Sequence, residues 1–361
     1  MRRRFCADHP CGVIAFNNQP QVLDRVAALP RYVTAAPAPT ADALLLASNE
    51  SPYDPLPSVR QAVVEGSARL HRYPEMHSGE LRAALAAGLH VGAEQIVAGT
   101  GSVGVLQQIV TAFAQHGDEV VYPWRSFEAY PILIGACGAT AVPVPLTGAG
   151  EIDLAAMANA IGGSTKIVLL CLPNNPTGTL PPAEAVAGFV AAVPRHVLVV
   201  IDEAYLEFSG AGSLCLLRHG NVVVVRTFSK AYGLAGLRIG YAVTTVPIAD
   251  ALRQVFLPFG VTALAQSAAL ASLRAQDELD ARVAAVIAER DRVHTRLCGH
   301  GWRVPRSHAN FVWLAEPDRA ARIGERLRAN GVLARVFPGE GVRLTIGTPA
   351  MNDSALRVLL S

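Results

Sequence analysis

The segment Asn221-Val-Val-Val-Val-Arg-Thr-Phe-Ser-Lys-Ala-Tyr-Gly-Leu-Ala-Gly-Leu-Arg238 is the most informative part of the chain. It begins with a run of valines and continues into hydroxyl residues, a lysine and two glycines. An unbroken β-branched run is typical of a strand whose two faces are both covered, as in a parallel sheet flanked by helices. The polar residues that follow would then lie at the carboxyl end of the strand, where open α/β sheets bind ligands.

Similar apolar runs recur on both sides of this segment and alternate with helical patterns, such as 105–114 and 183–193. Because this order is βαβ, we predict an α/β fold in which a doubly wound, mostly parallel sheet has helices on both faces. The predicted strands of this sheet are 95–98, 119–122, 140–144, 166–171, 196–201, 221–226 and 238–243.

The pattern changes after residue 260. One long helix is predicted over 263–297, followed by strands at 311–314 and 341–346 around an Arg-rich helix. The start of the chain is rich in Pro and Ala and predicts one short helix near 21–29. The expected organisation is an N-terminal arm over 1–43 that contributes to the small domain, a large domain over 44–260 and a small α+β domain over 261–361.

Composition excludes several classes of protein. The chain has 361 residues, of which 51% are hydrophobic and 17% are charged, so a sizeable core is expected and intrinsic disorder is excluded. The formal net charge of +2 argues against a nucleic-acid partner. No apolar run reaches the roughly 18 residues that cross a bilayer, and Asp8, His9 and Pro10 interrupt the basic start. We therefore expect a cytoplasmic protein without a membrane partner.

The six cysteines are scattered and mostly lie in apolar segments, which fits reduced thiols. Cys6, His9 and Cys11 could be metal ligands. Because no second cluster completes a set of four ligands, we expect no metal site.

The choice of basic residues points to chemistry. Of the 31 basic residues, 29 are arginine, and the two lysines are Lys166 and Lys230. A lysine amine with a lowered pKa can form a Schiff base, whereas arginine is permanently protonated. Chance survival is the better explanation for Lys166, so Lys230 is the candidate nucleophile.

The segment Gly99-Thr-Gly-Ser-Val-Gly104 lies between a predicted strand and a predicted helix. Glycines let the backbone approach a phosphate, and the start of a helix supplies amide groups and a partial positive charge. A dinucleotide site would also need an acidic residue at the end of the next strand, but Asp118 and Glu119 begin that strand. The segment predicts a phosphate site, and a nicotinamide oxidoreductase stays an alternative.

Polar motifs follow three predicted strands: Pro173-Asn-Asn-Pro-Thr-Gly178, Ile201-Asp-Glu-Ala-Tyr205 and the lysine segment quoted first. Each motif alone could be a turn or a helix cap. Lysine, a buried carboxylate and a phosphate site on one sheet edge are what pyridoxal phosphate needs. The residues brought to the carboxyl ends of successive strands are Asn175, Asp202, Ser229 and Lys230.

In order and spacing these motifs resemble those of the fold-type I pyridoxal-phosphate-dependent aminotransferases, in particular the histidinol-phosphate aminotransferase subfamily and its aromatic amino acid relatives. The resemblance extends from about Leu29 to the C-terminus and implies a three-layer fold with pyridoxal 5'-phosphate as cofactor. It implies that Lys230 forms the Schiff base and moves the proton, while Asp202 pairs with the pyridine nitrogen. Asn175 and Tyr205 match residues that hydrogen-bond the 3-hydroxyl oxygen.

The resemblance implies the rest of the cofactor site as well. Phe127 takes the place of the aromatic ring that stacks on the cofactor. Tyr73 matches a tyrosine that reaches the phosphate in the neighbouring subunit's site, which implies a homodimer with shared active sites. The residues that match the phosphate cradle are Ser102, Val103, Thr227, Ser229 and Arg238.

Two arginines match substrate-binding residues of the family. Arg343 matches the arginine that holds the substrate's anionic end. Arg335 matches a second arginine that helps to bind phosphate in histidinol-phosphate enzymes, although Val336 stands where a proline is usual. The other residues expected in the substrate pocket are Tyr32, Asn49 and Asn175; packing and a turn are the alternative explanations for the first two.

Two segments, Trp124-Arg-Ser-Phe-Glu-Ala-Tyr-Pro131 and Leu46-Ala-Ser-Asn-Glu-Ser51, are more similar to the aromatic aminotransferases than to typical histidinol-phosphate enzymes. The resemblance therefore implies a ping-pong transaminase, with an aromatic L-amino acid and 2-oxoglutarate as its small-molecule substrates. Histidinol-phosphate aminotransferase of histidine biosynthesis and a transaminase of specialised metabolism are the alternatives. A cofactor-binding regulator without turnover and other pyridoxal-phosphate chemistry, such as decarboxylation, also stay open.

Overall fold

The computed structural model describes residues 20–32, 40 and 42–361. Most of the expected N-terminal arm, with Cys6, His9 and Cys11, lies outside the described residues. Within them, no helix combines the length and the apolar character that crossing a membrane requires. A cytoplasmic location stays a prediction.

The strands form two sheets. The strands are β1 (Leu44–Leu46), β2 (Ile96–Gly99), β3 (Glu119–Trp124), β4 (Thr140–Pro145), β5 (Thr165–Cys171), β6 (Leu198–Asp202), β7 (Val222–Thr227), β8 (Gly240–Val243), β9 (Phe311–Leu314), β10 (Val332–Phe337) and β11 (Gly341–Thr345). Over the described residues the larger sheet has seven strands in the order β2-β8-β7-β6-β5-β3-β4, and the smaller sheet has four in the order β1-β10-β11-β9. Strands β3 to β7 pair in parallel, and β8 is antiparallel to both of its neighbours.

Helices connect the strands and cover them. They are α1 (Asp24–Ala27), α2 (Pro57–Ser67), α3 (Gly79–Leu89), α4 (Gly101–Phe113), α5 (Ala129–Cys137), α6 (Leu154–Asn159), α7 (Ala183–Ala192), α8 (Leu206–Ser209), α9 (Val246–Gln254), α10 (Ala263–Arg274), α11 (Gln276–Cys298), α12 (Ala320–Ala329) and α13 (Pro349–Leu360). Short 3-10 turns lie at Ala93–Gln95, Leu214–His219, Ala235–Leu237 and Pro317–Arg319.

The valines of β7 explain the three layers. Val223 and Val225 pack into a cluster with residues of α4, α5 and α9, whereas Val222 and Val224 pack into a second cluster with residues of α6 and α7. All four side chains are fully buried. Because successive side chains of a strand point to opposite faces, both faces of the sheet are covered. The predicted α/β fold with helices on both faces is confirmed.

All seven predicted strands of the large sheet occur, each within two residues of its predicted ends. The prediction of one helix over 263–297 is wrong, because the chain leaves helical geometry at Ala275, where φ is −105° and ψ is 37°. This break separates α10, which packs on α2, from α11, which packs on α13. Ala275 is a strong helix former, so local sequence gave no sign of the break.

The smaller sheet contains two strands that the sequence pattern did not predict, β1 and β10. They pair in parallel, so the chain directly after residue 43 belongs to the same sheet as residues near 332. Arg335 interrupts the apolar pattern of β10. The domain boundaries at 43/44 and 260/261 stay predictions.

Candidate active site

The carboxyl ends of β5, β6 and β7 meet at one edge of the large sheet because these strands run parallel. Asp202 is the last residue of β6 and Thr227 is the last residue of β7. Asn175 and Lys230 follow β5 and β7 in short loops. All four residues border a cavity of about 300 Å³ that residues of β10 and β11 close from the side of the smaller sheet.

Of the candidates taken from the sequence, all but Tyr73 line this cavity within the described part of the chain. The residues brought together are Tyr32, Asn49, Ser102, Val103, Phe127, Asn175, Asp202, Tyr205, Thr227, Ser229, Lys230, Arg238, Arg335 and Arg343. Tyr73 lies outside the cavity with 82% of its side chain exposed, and its ring stacks on Phe259 at 4.6 Å between centroids. The roles implied by the family resemblance stay predictions.

Lys230 is held by the backbone of the segment after β1. Its Nζ donates a hydrogen bond to the carbonyl oxygen of Ser48 at 3.0 Å. Burial lowers the pKa of Lys230 to about 8, and the positive charge of Arg343 acts in the same direction. The amine is therefore neutral in a larger fraction of molecules near pH 7 than that of an exposed lysine, as a nucleophile or base requires.

Asp202 has one oxygen engaged and one without a partner. Its Oδ2 accepts a hydrogen bond from the hydroxyl of Tyr130 at 3.0 Å. Its Oδ1 is buried and has no hydrogen-bond partner among the described residues. Burial raises the pKa of Asp202 to about 6, against the opposing effect of the Tyr130 hydroxyl. A buried acceptor without a donor is unfavourable, so this oxygen fits an N–H group of a bound molecule, such as a protonated ring nitrogen.

The start of α4 forms one wall of the cavity. The N-cap residue Thr100 makes no side-chain capping bond, so its hydroxyl leaves the first amides of the helix free for a ligand. Gly101 has φ +75°, and a Cβ there would lie 2.5 Å from Nη2 of Arg238. A Cβ at Gly240 would lie 2.5 Å from the amide nitrogen of Ser102. Glycine at both positions therefore lets a guanidinium, the helix start and β8 approach one another.

Hydroxyl groups complete this part of the site. Thr227 Oγ1 donates to Ser229 Oγ at 3.0 Å, and Nη1 of Arg238 donates to the same oxygen at 3.3 Å. Helix amides, hydroxyls and a guanidinium are the groups that bind a phosphate. The residues present therefore fit the phosphate end of pyridoxal phosphate, and Asp202 fits its ring nitrogen.

Tyr205 is buried and shares a hydrogen bond with Asn49. Nδ2 of Asn49 donates to the Tyr205 hydroxyl oxygen at 2.9 Å, so the Tyr205 proton is available for another acceptor. Burial raises the pKa of Tyr205, which keeps that proton in place. Asn49 is also held by β11, since its backbone N–H donates a hydrogen bond to Thr345 Oγ1 at 3.0 Å.

Arg343 and Arg335 are register partners on β11 and β10, so their side chains share one face of the smaller sheet. Arg343 is buried and donates from Nη1 to Asn175 Oδ1 at 2.5 Å and from Nη2 to the carbonyl of Ala47 at 2.6 Å. Its Nε is buried without a partner among the described residues. Burial is the main cause that lowers the pKa of Arg343, and Arg335 acts in the same direction.

Sequence reasoning did not identify Glu128 and Tyr130, although both lie in the quoted segment 124–131. Glu128 pairs with Arg335, and the Tyr130 hydroxyl orients Asp202. The available signal was their position next to Phe127, since Glu128 is the N-cap residue of α5 and Tyr130 lies in its first turn. From the sequence alone the partners of Glu128 and Tyr130 are not known, so both residues could equally lie at a solvent-exposed helix start.

Comparison with known proteins agrees with this geometry. A family model described as aminotransferase class I and II matches residues 41–359. The chain is 50% identical over 341 residues to an aromatic amino acid aminotransferase of Cutibacterium acnes, which covers 93% of this chain and 97% of that protein. It is 49% identical over 318 residues to an aromatic amino acid aminotransferase of Thermobifida fusca, covering 87% of this chain and 88% of that protein.

A solved structure shares the whole fold. The histidinol-phosphate aminotransferase of Sinorhizobium meliloti, in complex with pyridoxal-5'-phosphate, has a TM-score of 0.85 at 29% identity. The match covers 95% of this chain and 98% of that chain. The resemblance found in the motifs is thus confirmed over nearly the whole length, and the chain belongs to the class I and II aminotransferases.

Proposed function

We propose that this chain is a pyridoxal-phosphate-dependent transaminase that passes the amino group of an aromatic L-amino acid to 2-oxoglutarate. One observation carries the proposal: a single cavity brings together the amine of Lys230, the unpartnered Oδ1 of Asp202 and the guanidinium of Arg343. The names of the two curated relatives support the aromatic substrate class. The pair of 2-oxo acid and amino acid follows from the reaction class.

Pyridoxal phosphate, when bound, supplies an aldehyde carbon for the amino group and a ring that spreads negative charge. The helix start at Ser102 and Val103 would hold its phosphate together with Ser229 and Arg238. Asp202 Oδ1 would accept a hydrogen bond from the protonated ring nitrogen and so stabilise its positive charge. Phe127 lines the same cavity and offers an aromatic face for stacking.

Lys230 is the residue that moves the proton. Its amine, with the pKa lowered to about 8, can take the proton from Cα of the bound amino acid and return a proton later in the reaction. The hydrogen bond to the Ser48 carbonyl gives the amine a defined position.

Arg343 orients the substrate. Its guanidinium is fixed by Asn175 and by the Ala47 carbonyl, and its Nε has no partner among the described residues. A carboxylate in the cavity satisfies that donor and the positive charge together. The Tyr205 hydroxyl, which receives the Asn49 hydrogen bond, keeps its own proton for an oxygen of the bound cofactor.

The visible spectrum of the purified protein, titrated with L-phenylalanine in the absence of an acceptor, tests the proposal. We expect the yellow band of the bound cofactor to disappear on addition of phenylalanine and to return on addition of 2-oxoglutarate. A yellow protein that ignores phenylalanine but responds to histidinol phosphate would favour the alternative suggested by the structural relative. A protein that stays colourless after addition of pyridoxal phosphate would contradict the whole proposal.

We also propose a homodimer in which Tyr73 of one copy completes the site of the other. The support is the position of Tyr73, exposed outside the cavity of its own chain and stacked on the exposed Phe259. Apolar side chains grouped on a surface are typical of a contact between subunits.

A further inference from the structure

Two ion pairs of opposite polarity join the segment after β3 to the hairpin of β10 and β11. The segment after β3 contributes Arg125 and Glu128, and the hairpin contributes Glu340 and Arg335. Arg125 pairs with Glu340 in the hairpin turn, with 2.7 Å between Nε and Oε2. Arg335 pairs with Glu128, but this pair lines the cavity whereas the other does not.

The contact between Glu128 and Arg335 has the form of a carboxylate bound by a guanidinium. Nη2 of Arg335 lies 2.7 Å from Oε1 and 2.9 Å from Oε2 of Glu128, and Nε lies 3.3 Å from Oε2. The side chain of Arg335 is 9% exposed and that of Glu128 is 22% exposed. Both carboxylate oxygens of Glu128 thus accept hydrogen bonds from Arg335, as the oxygens of a bound dicarboxylate or phosphate would do.

We infer that Glu128 is a specificity-determining residue: by forming an ion pair with Arg335, the second arginine on this sheet face, it favours substrates with an uncharged side chain. This inference rests on the proposed function. Arg343 and Arg335 share one sheet face, and the carboxylate of Glu128 balances one of these two charges. On this sheet face the charge of Arg343 is then left for a substrate carboxylate, whereas the charge of Arg335 is already balanced.

The ion pair of Glu128 and Arg335 lowers the affinity for a substrate with a second anionic group. To reach the Arg335 guanidinium, its distal carboxylate or phosphate has to displace Glu128, which then loses its partner in a half-buried position. An aromatic side chain needs no such displacement. A dicarboxylic 2-oxo acid can therefore be accepted, but at lower affinity than the same cavity without the Glu128 charge would give.

Glu340 provides a matched control, since it makes the other ion pair between the same two segments. Glu340→Gln weakens the connection of the segments without changing the charge in the cavity. If Glu128 acted only by holding the two segments together, both variants would change ligand binding in the same way. If it acts through the charge of Arg335, only Glu128→Gln does so.

The experiment is calorimetric titration of the holoenzyme with two unreactive ligands, glutarate as a dicarboxylate and 3-phenylpropanoate as an aromatic monocarboxylate. For Glu128→Gln we expect glutarate to bind about tenfold more tightly than it binds the wild type, because coupling energies of close charge pairs are of this size. The affinity for 3-phenylpropanoate should stay within about twofold of the wild type. For Glu340→Gln we expect both ligands within about twofold of the wild type. Arg335→Gln should have the opposite sign and weaken glutarate, which keeps the test decisive if one variant folds poorly.

The inference is overturned if glutarate binds Glu128→Gln no better than the wild type, or if Glu340→Gln strengthens glutarate equally. These results do not depend on turnover. Failure of the proposed function is recognised separately, as a wild-type spectrum that phenylalanine does not change. A wild type that binds glutarate more tightly than 3-phenylpropanoate would also overturn the inference, because the charge of Arg335 would then be open to the ligand.

Discussion

Tyr130 and Asp202 are joined by a hydrogen bond of 3.0 Å in which the hydroxyl donates to Oδ2 of the carboxylate. Tyr130 comes from α5 and is fully buried, so its hydroxyl lies in the interior of the protein. The bond leaves Oδ1 as the carboxylate oxygen without a partner among the described residues. It also opposes the rise in the pKa of Asp202 that burial causes.

Tyr130→Phe is expected to weaken the binding of pyridoxal phosphate about tenfold, since a hydrogen bond to a charged group contributes about 1.5–3 kcal/mol. Without the hydroxyl, the pKa of Asp202 rises further and the charged form that pairs with a ring nitrogen is less stable. Titration of the cofactor-free protein measures the dissociation constant. Tyr122→Phe is the matched control, because that ring packs edge-on against Tyr130 and does not hold Asp202. An equal loss in both variants would contradict the role of Tyr130.

Lys230→Ala is expected to abolish transamination, because the variant has no amine in the cavity to move the proton. Lys166→Ala is the natural control, since Lys166 is the other lysine of the chain and lies on β5. Activity should stay near wild type in that variant. Turnover of phenylalanine and absorption in the visible range are the two measurements. Substantial turnover in Lys230→Ala would refute the mechanism.

The pKa of Asp202, raised to about 6, predicts how the stability of the cofactor-free protein depends on pH. Between about pH 4 and 6 the folded state binds this proton and the unfolded state does not, so protonation favours folding as the pH falls. Relative to Asp202→Asn, the wild type should therefore gain about 1 kcal/mol between pH 7 and pH 5. Urea unfolding of both proteins at each pH gives this difference. A difference that shrinks or stays constant would show that the Asp202 pKa is not raised.

Much of the fold and most of the candidate site could be predicted because each of the informative motifs is contiguous in the chain. The valine run of β7 and the lysine after it are neighbours in the chain, and parallel pairing alone brings the ends of β5 and β6 beside them. The pairing of Glu128 with Arg335 joins residues far apart in sequence, so no local pattern reports it. The same holds for β1, a strand of three residues whose partner β10 comes late in the chain.

Gly101→Ala is expected to weaken the binding of pyridoxal phosphate and to destabilise the fold by about 1 kcal/mol, because φ is +75° and the new Cβ would meet the Arg238 guanidinium. Arg238 would have to move away from the start of α4, where the phosphate is expected. Gly236→Ala serves as the control, since nothing lies within 4 Å of a Cβ there. Thermal unfolding and cofactor titration report the two effects. Unchanged cofactor affinity in Gly101→Ala would argue against a phosphate site at this helix start.

Mixing two inactive variants tests whether Tyr73 serves the neighbouring site. Tyr73→Ala retains Lys230, and Lys230→Ala retains Tyr73, so a mixed dimer would have one site with both residues and one with neither. After unfolding and refolding together in equal amounts, half of the dimers are mixed, and about a quarter of the wild-type activity should return, as symmetry requires. Each variant refolded alone is the control. If Tyr73 instead acted within its own chain or only stacked on Phe259, the mixture would be no more active than the average of its two parts.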